Sequence, residues 1–320
     1  MLCKIGSFNM KKLSLNTLTN KKDIDKIVEI IANERFDIVA MQEIFRREPV
    51  EIIIHKLGSL NWKMAFEVSR DGKEGYAFIW NNNVLNKTQT LDNNNQIRTF
   101  EPRIVNQYRK FGGEELRRPP FYGRFMPSPN TGAPFYELRL INTHIHFGDD
   151  TKLNHTIRRN EFFILANGLY PKIEDRVYSK NQSIDGTRVA YTIILGDYNL
   201  CLEKRWENGI PHINEGPYLT YESIEIQNPH KPTASKQINT FQSGLTSLRK
   251  KGTEELTGTY RHNYDHFSYN IKRFDTGNEP LKSYKVDAVN TYFQGDFDKY
   301  FDQVSDHIPI ALEFSLNGKG

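Results

Sequence analysis

The sequence predicts an α/β chain in which two mixed β-sheets pack face to face with helices outside. Three observations lead there. Short apolar runs of strand character recur along the 320 residues, few stretches show helical periodicity, and strands and crossover helices do not alternate regularly as in a parallel sheet. No Gly/Ser tract, Pro-rich run or long block of like charge breaks the chain, so residues 1–320 read as one domain.

Each element has a local reason. CKIGSFNM near the N-terminus is a short strand. Between Asp23 and Glu34, the residues Ile24, Ile27, Val28, Ile30 and Ile31 share one helical face, with Lys and Asp opposite. Phe36 to Gln42 (FDIVAMQ) is a continuous apolar strand followed by Glu43. Pro49 to Leu57 is a second helix, its proline in the first turn. WKMAFEV and YAFIW are the next two strands, with KEG between them. Residues 82–133, rich in Asn, Arg and Gly, read as a loop insertion. FYELRLINTHIHF resumes a strand, HTIRRNEFFILANGL a helix and VAYTIILGDYN a buried strand. Residues 203–260 form a second polar insertion, and NYDHFSYN, KVDAVNTYF and HIPIALEFSL close the chain.

Composition narrows the class. With 38% hydrophobic and 12% aromatic residues the chain can build a substantial core, and its net charge of +4 leans toward a polyanionic partner. The first residues lack the apolar core of a secretory signal, and no run approaches the roughly 20 apolar residues of a membrane span. Cys3 and Cys201 sit in apolar strand contexts and are expected to be buried thiols, which suits a reducing, cytoplasmic compartment.

The informative pattern lies at the strand ends. Asn9 ends the first strand, Glu43 ends FDIVAMQ, His144 ends LRLINT, Asp197 and Asn199 end YTIIL, and Asp306 and His307 precede IPIAL. Each is tied to an apolar run that fixes its backbone. A carboxylate beside a buried strand stays ionised only if a cation or hydrogen-bond donors meet it. Gathered at one edge, these tips would suit a hard cation together with an acid and a base.

In the order SFNM, MQEI, NTHIHFG, LGDYNL, YDHF and SDHIPI, these motifs resemble those of the endonuclease/exonuclease/phosphatase superfamily, from residue 7 to residue 310. The resemblance implies a four-layer α/β sandwich of the deoxyribonuclease I type, with the active site at one end of the sheets. It implies that Glu43 is the principal Mg²⁺ ligand, helped by Asn9, and that Asp197 and Asn199 hold the attacking water and the phosphate. Asp306 would complete the metal network, His307 would contact the phosphate or exchange a proton, and Asp265 would orient His307. Mn²⁺ or Ca²⁺ could substitute for or assist Mg²⁺. A phosphodiester is anionic, so a water nucleophile is repelled until cation and donors offset the charge of the pentavalent state.

His144 resembles the deoxyribonuclease I, sphingomyelinase and inositol-phosphate phosphatase branches rather than the abasic-site endonucleases, which have Tyr there. Arg118 in RRPPFYGRF resembles the arginine that lies against the scissile phosphate in deoxyribonuclease I. Glu74 in KEGYAFIW resembles the carboxylate that orients the histidine. The plainer readings are a solvated loop arginine and an ordinary exposed turn. Departures from the family include Phe45, where deoxyribonuclease I has a basic DNA contact, and a lengthened interval from Asn199 to Tyr264. That interval carries Lys231, Lys236, Arg249, Lys250 and Lys251 and reads either as a substrate-recognition insert or as a solvated loop.

The resulting expectation is a Mg²⁺-dependent deoxyribonuclease of low sequence specificity that leaves 5′-phosphate ends. Backbone contacts are expected from Arg46–Arg47, Arg117–Arg118, Arg158–Arg159 and the Arg249 cluster. No stable membrane association is expected. The alternatives are a phosphoinositide phosphatase or sphingomyelinase-like lipid phosphodiesterase, and a non-catalytic protein that binds nucleic acid. His146, His155 and His266 have no motif role and are expected to be structural or on the surface.

Overall fold

A computed structural model describes residues 2–15, 22–69, 74–92, 94–108, 110–132, 136–149, 151–174, 189–200, 206–207, 210–211, 224–226, 236–242, 244–251, 258–270 and 282–315. One sheet runs in the order Lys282–Lys285, Ile310–Ser315, Leu2–Leu13, Ile38–Ile44, Gly75–Asn81, Trp62–Val68. The other runs Ile224–Ile226, Lys236–Gln242, Asp265–Tyr269, Val189–Asp197, Tyr136–His144, Phe121–Pro127, Leu85–Lys87. Each sheet has a parallel pair at its centre, Leu2–Leu13 with Ile38–Ile44 and Tyr136–His144 with Val189–Asp197.

Three apolar cores define four layers. Between the sheets lie Ile5, Ile38, Phe78, Leu140, Ile193 and Leu312 with their neighbours. Outside the first sheet, Val39, Met41 and Ile79 meet helices Ile24–Asn33 and Glu48–Gly58 through Ile27, Ile30, Ile31, Val50 and Ile53. Outside the second, Ile141 and Ile194 meet Phe162, Leu165 and Leu169. The four-layer α/β sandwich is therefore the observed fold. The first helix is capped by Asp23, whose side chain accepts from the Lys26 amide, and the helix Lys152–Phe163 is capped by Thr151.

Three expectations change. The presumed loop 82–133 contains Phe121–Pro127, a buried strand paired along its length with Tyr136–His144. Its pattern was obscured by Arg124, a buried cation held by both oxygens of Glu137 at 2.7 and 2.6 Å, with Arg139 also on Glu137 at 2.7 Å. KVDAVNTYF is not one element: Lys285 ends the strand Lys282–Lys285, while Ala288–Phe293 is a helix, followed by a further helix Phe297–Gln303 capped by Asp296. The insertion 203–260 gives Lys236–Gln242 to the second sheet; Cys201 and Lys231 lie outside the described residues. Cys3 is a buried free thiol, its pKa pushed up by burial and by Asp37.

The sheets are tied together by polar groups as well as by the core. Gln42 donates from Nε2 to Asn142 Oδ1 at 2.8 Å, and Asn142 donates back to the Met41 carbonyl at 3.0 Å. One position further on, the backbone narrows: Gly196 has φ 143°, and a Cβ there would lie 1.9 Å from the Thr143 carbonyl oxygen. Gly196→Ala is therefore expected to cost more than about 3 kcal/mol or to abolish folding, as read from urea denaturation. A variant within about 0.5 kcal/mol of wild type would show that the two strands do not need this approach.

Candidate active site

Strand register delivers the polar tips to one edge. Asn9 pairs with Gln42, so Glu43 follows beside it; Gly75 pairs with Ile44, which puts Glu74 next in line. Ser7 pairs with Ile310, so Asp306 and His307 enter beside Asn9, and the Ser305 hydroxyl donates to the Asn9 carbonyl at 2.7 Å. In the other sheet His144 pairs with Asp197, and Asp197 with Asp265. Glu43 (φ 55°) and Asn199 (φ 49°) are held in the left-handed region, an unfavourable conformation that concentrates at functional sites.

Asp197 Oδ2 is the hub. Asn9 donates to it from Nδ2 at 2.9 Å, and the same nitrogen lies 3.1 Å from Glu43 Oε1. His307 Nε2 is 3.6 Å away and His144 Nε2 is 3.7 Å away. Each imidazole is backed by a carboxylate on its other nitrogen: His307 Nδ1 with Asp265 at 2.7 Å, His144 Nδ1 with Glu74 at 2.8 Å. Glu74 Oε1 also meets Arg118 Nε at 2.7 Å. Asn199 is fixed by its amide N–H to Asp197 Oδ1 at 2.8 Å and by its side chain to the Ile145 carbonyl at 2.9 Å. Above these groups is a cavity of about 500 Å³, lined also by Lys12, Phe45, Phe147, Arg158, Arg261, Tyr264 and Asp306.

No family model matches the sequence, and no curated protein matches it. Solved structures do. The D. rerio TDP2 structure complexed with a single-strand DNA product is 14% identical, over 98% of this chain and 99% of that one, with a TM-score of 0.51. The human Nocturnin catalytic domain with bound sulfate is 13% identical over 98% and 93%, with a TM-score of 0.50. An endonuclease/exonuclease/phosphatase family protein from Bacteroides thetaiotaomicron is 13% identical over 99% of each chain, also at 0.50. The chain has the endonuclease/exonuclease/phosphatase fold.

Burial and charge set the protonation states at this edge of the endonuclease/exonuclease/phosphatase fold. Burial opposes a charged His307, but Asp265 and Asp197 outweigh it and hold the imidazole well above its ordinary range. His144 follows the same logic: burial is outweighed by Glu74 and Asp197, and its pKa is raised. Asp197 is pushed up by burial, which the nearby histidines only partly offset. At neutral pH the His307 ring is therefore a cationic donor, and the His144 ring is drawn toward its charged form, both facing one shared carboxylate.

The structure brings Asn9, Glu43, Glu74, Arg118, His144, Asp197, Asn199, Asp265 and His307 together. It also decides between the readings of two of them: Arg118 is not a solvated loop arginine, nor Glu74 an exposed turn, since both are largely buried and joined to each other. Asp306 lines the cavity from its rim, a third exposed, with Lys11 Nζ 3.6 Å away. Of the expected backbone contacts, Arg158 is buried and committed to the Asn199 and Gly148 carbonyls, so it is not a surface phosphate contact. Arg117 meets His146 Nε2 at 2.9 Å. His266 is wholly buried, its Nε2 on the Leu200 carbonyl, and burial lowers it to about 4. His155 is buried, while half-buried His146 is lowered to about 4 by burial and the adjacent Arg117 and Arg118. Sequence reasoning missed Lys12, Arg261 and Tyr264 on the cavity wall. Tyr264 stands directly before Asp265 and was open to inclusion from the motif.

Does the site fit a cation? Asp197, Asp265 and His307 bring ligand-type atoms within 4.8 Å of one another, a set other than Glu43, Asn9 and Asp306. In that trio Asp265 Oδ2 and His307 Nδ1 already satisfy each other, while Asp265 Oδ1 is buried without a hydrogen-bond partner. Glu43 and Asp306 present further oxygens to the same cavity. A donor set of clustered carboxylates fits a hard divalent ion that retains waters. Asn9 turns its amide nitrogen to Glu43 and Asp197, and its oxygen accepts from the Lys11 amide at 2.9 Å.

Asn9→Asp replaces that bridging donor with a third carboxylate. The new group's pKa rises, so the stability it permits is full below about 3.9 and is lost as pH climbs through the raised value. The variant is expected to lose on the order of 3 kcal/mol at pH 8 and less at pH 5, measured by urea melts at both. A loss equal at the two pH values would contradict the bridge.

Proposed function

We propose that this chain is a divalent-cation-dependent phosphodiesterase that hydrolyses nucleic acid, DNA in preference. The observation that carries the reading is the convergence of two carboxylate-backed imidazoles and the Asn9 amide on one Asp197 oxygen, at the floor of a cavity walled by Lys12, Arg118 and Arg261. Cations on the wall suit a phosphate, and Phe45, Phe147 and Tyr264 at the same wall suit stacked bases. The structurally similar D. rerio TDP2, solved with a single-strand DNA product, supports the same class. The lipid reading loses ground because FYGRFMP, a segment that could be mistaken for a membrane-docking hairpin, is a buried strand. The non-catalytic reading leaves this assembly of buried charges without a physical purpose. Among the described residues no helix is long and apolar enough to cross a membrane; the sparing use of cysteine, two in 320 residues, is what supports a reducing, cytoplasmic compartment.

In this reading Arg118, Asn199, His144 and His307 hold the scissile phosphate, and Asp197 orients a water for in-line attack. Its raised pKa makes Asp197 the better proton acceptor. The imidazoles donate hydrogen bonds to the phosphoryl oxygens, and cationic His307 passes its proton to the departing 3′-oxygen. The P–O bond to that oxygen breaks as the water–phosphorus bond forms, leaving a 5′-phosphate and a 3′-hydroxyl. Mg²⁺ bound at Glu43 and Asp306, with Asn9 fixing Glu43, would supply Lewis-acid neutralisation of the developing charge, and Mn²⁺ or Ca²⁺ would replace or assist it.

The test is incubation with supercoiled plasmid, single-stranded DNA, RNA and phosphoinositide vesicles, with Mg²⁺ and with chelator. Chelator-sensitive cleavage of DNA is expected, and phosphate release from vesicles alone would transfer the chain to the lipid class. Glu43→Ala and His307→Ala should each lower turnover by about 10² to 10⁴ with circular dichroism unchanged. Wild-type nicking by either variant would end the reading.

A further inference from the structure

Behind the cavity wall, the helix Lys152–Phe163 turns two charged residues inward, Arg158 and Glu161, exposed by only 6% and 2%. They are three positions apart and so share a helix face. Both reach backbone groups of the loops that carry the site. Glu161 accepts from the Arg117 amide at 2.9 Å through Oε1 and from the His146 amide at 2.7 Å through Oε2. Arg158 donates to the Asn199 carbonyl at 3.2 Å and to the Gly148 carbonyl at 2.7 Å, its guanidinium 5.4 Å over the Phe147 ring.

Burying a carboxylate and a guanidinium is costly, and a surface helix needs neither for its own stability. What they fix is the relative placement of three loops. One precedes the strand Phe121–Pro127 and holds Arg118, one follows His144, and one holds Asn199. Glu74 already joins the side chains of Arg118 and His144 at one oxygen. Glu161 joins the backbone on either side of them, at Arg117 and His146, so this donor pair is held at two levels. A phosphate-binding pair loosened by an ångström loses much of its effect.

We propose that Glu161 and Arg158 are positioning residues for phosphodiester hydrolysis, with the helix Lys152–Phe163 acting as a clamp on the three loops. The inference rests on the reading above for what is being positioned, but the clamp itself can be measured without turnover. In Glu161→Gln the shape is kept, and the replaced oxygen becomes a donor facing a donor. Amide hydrogen exchange at Arg117 and His146 is expected to speed by at least about 10-fold, with exchange in the Trp62–Val68 strand unchanged. Turnover of bis(p-nitrophenyl) phosphate should fall about 10- to 100-fold, mainly in kcat. The loss in the double variant with Arg118→Ala should be smaller than the product of the two single losses, because Glu161 acts in part through Arg118 and in part through the loop that follows His144. Should Glu161→Gln fold poorly, Arg158→Lys keeps the charge but loses the fork across Gly148 and Asn199, and its loss should merge in the same way with that of Asn199→Ala. Unchanged exchange at Arg117 and His146, or losses that multiply in the double variants, would overturn the proposal. A wild-type protein that cleaves no phosphodiester would instead overturn the underlying reading, with the exchange data still showing whether the clamp exists.

Discussion

The side-chain amide of Asn9 holds the two sheets together where it matters. Its nitrogen lies within hydrogen-bond reach of Glu43 on one sheet and Asp197 on the other. Without a donor between them, two carboxylates from facing strands would repel one another across a buried gap. The Gln42–Asn142 pair lies one residue deeper and repeats the tie in neutral form. Everything nearer the solvent depends on that spacing, because both histidines are placed by their distance to the Asp197 oxygen that Asn9 grips.

Charge balance follows from the same geometry. Asp197 and Asp265 are fully or almost fully buried, and Glu74 nearly so. Each is tolerated because it meets an imidazole or the Arg118 guanidinium. The His307 ring is in turn held cationic, and the His144 ring drawn toward its charged form, because carboxylates outweigh their burial. The assembly is thus pre-charged with donors pointed at one small volume, the condition for stabilising an anionic transition state without reorganisation. Left-handed backbone at Glu43 and Asn199 is the conformational cost of bringing side chains to that volume from strand ends.

Much of this was legible in the sequence, for identifiable reasons. Continuous apolar runs such as FDIVAMQ and YTIIL betray buried central strands, and a polar residue closing such a run has nowhere to go but the sheet edge. Six short motifs in order then fix which edges meet. What escaped were charges that behave against type. Arg124 looked like loop sequence because its partner Glu137 lies 13 residues away, across a turn. Arg158, in a helix rich in charge, read as a nucleic-acid backbone contact, and Glu161 drew no expectation; their partners are backbone amides and carbonyls of remote loops, which no local pattern encodes. The helix Phe297–Gln303 was hidden for a related reason, since its apolar side is made of aromatics, Tyr300 and Phe301, interspersed with Asp and Lys.

The central claim is that these strand ends form one cation-binding phosphoester site. Its most direct test is anomalous diffraction from crystals soaked in Mn²⁺. The account predicts an anomalous peak in the cavity at roughly 2.1 Å from a Glu43 carboxylate oxygen, lost when Glu43 is replaced by Ala. A cavity with no peak, or a peak held elsewhere while Asn9 still joins Glu43 to Asp197, would contradict it.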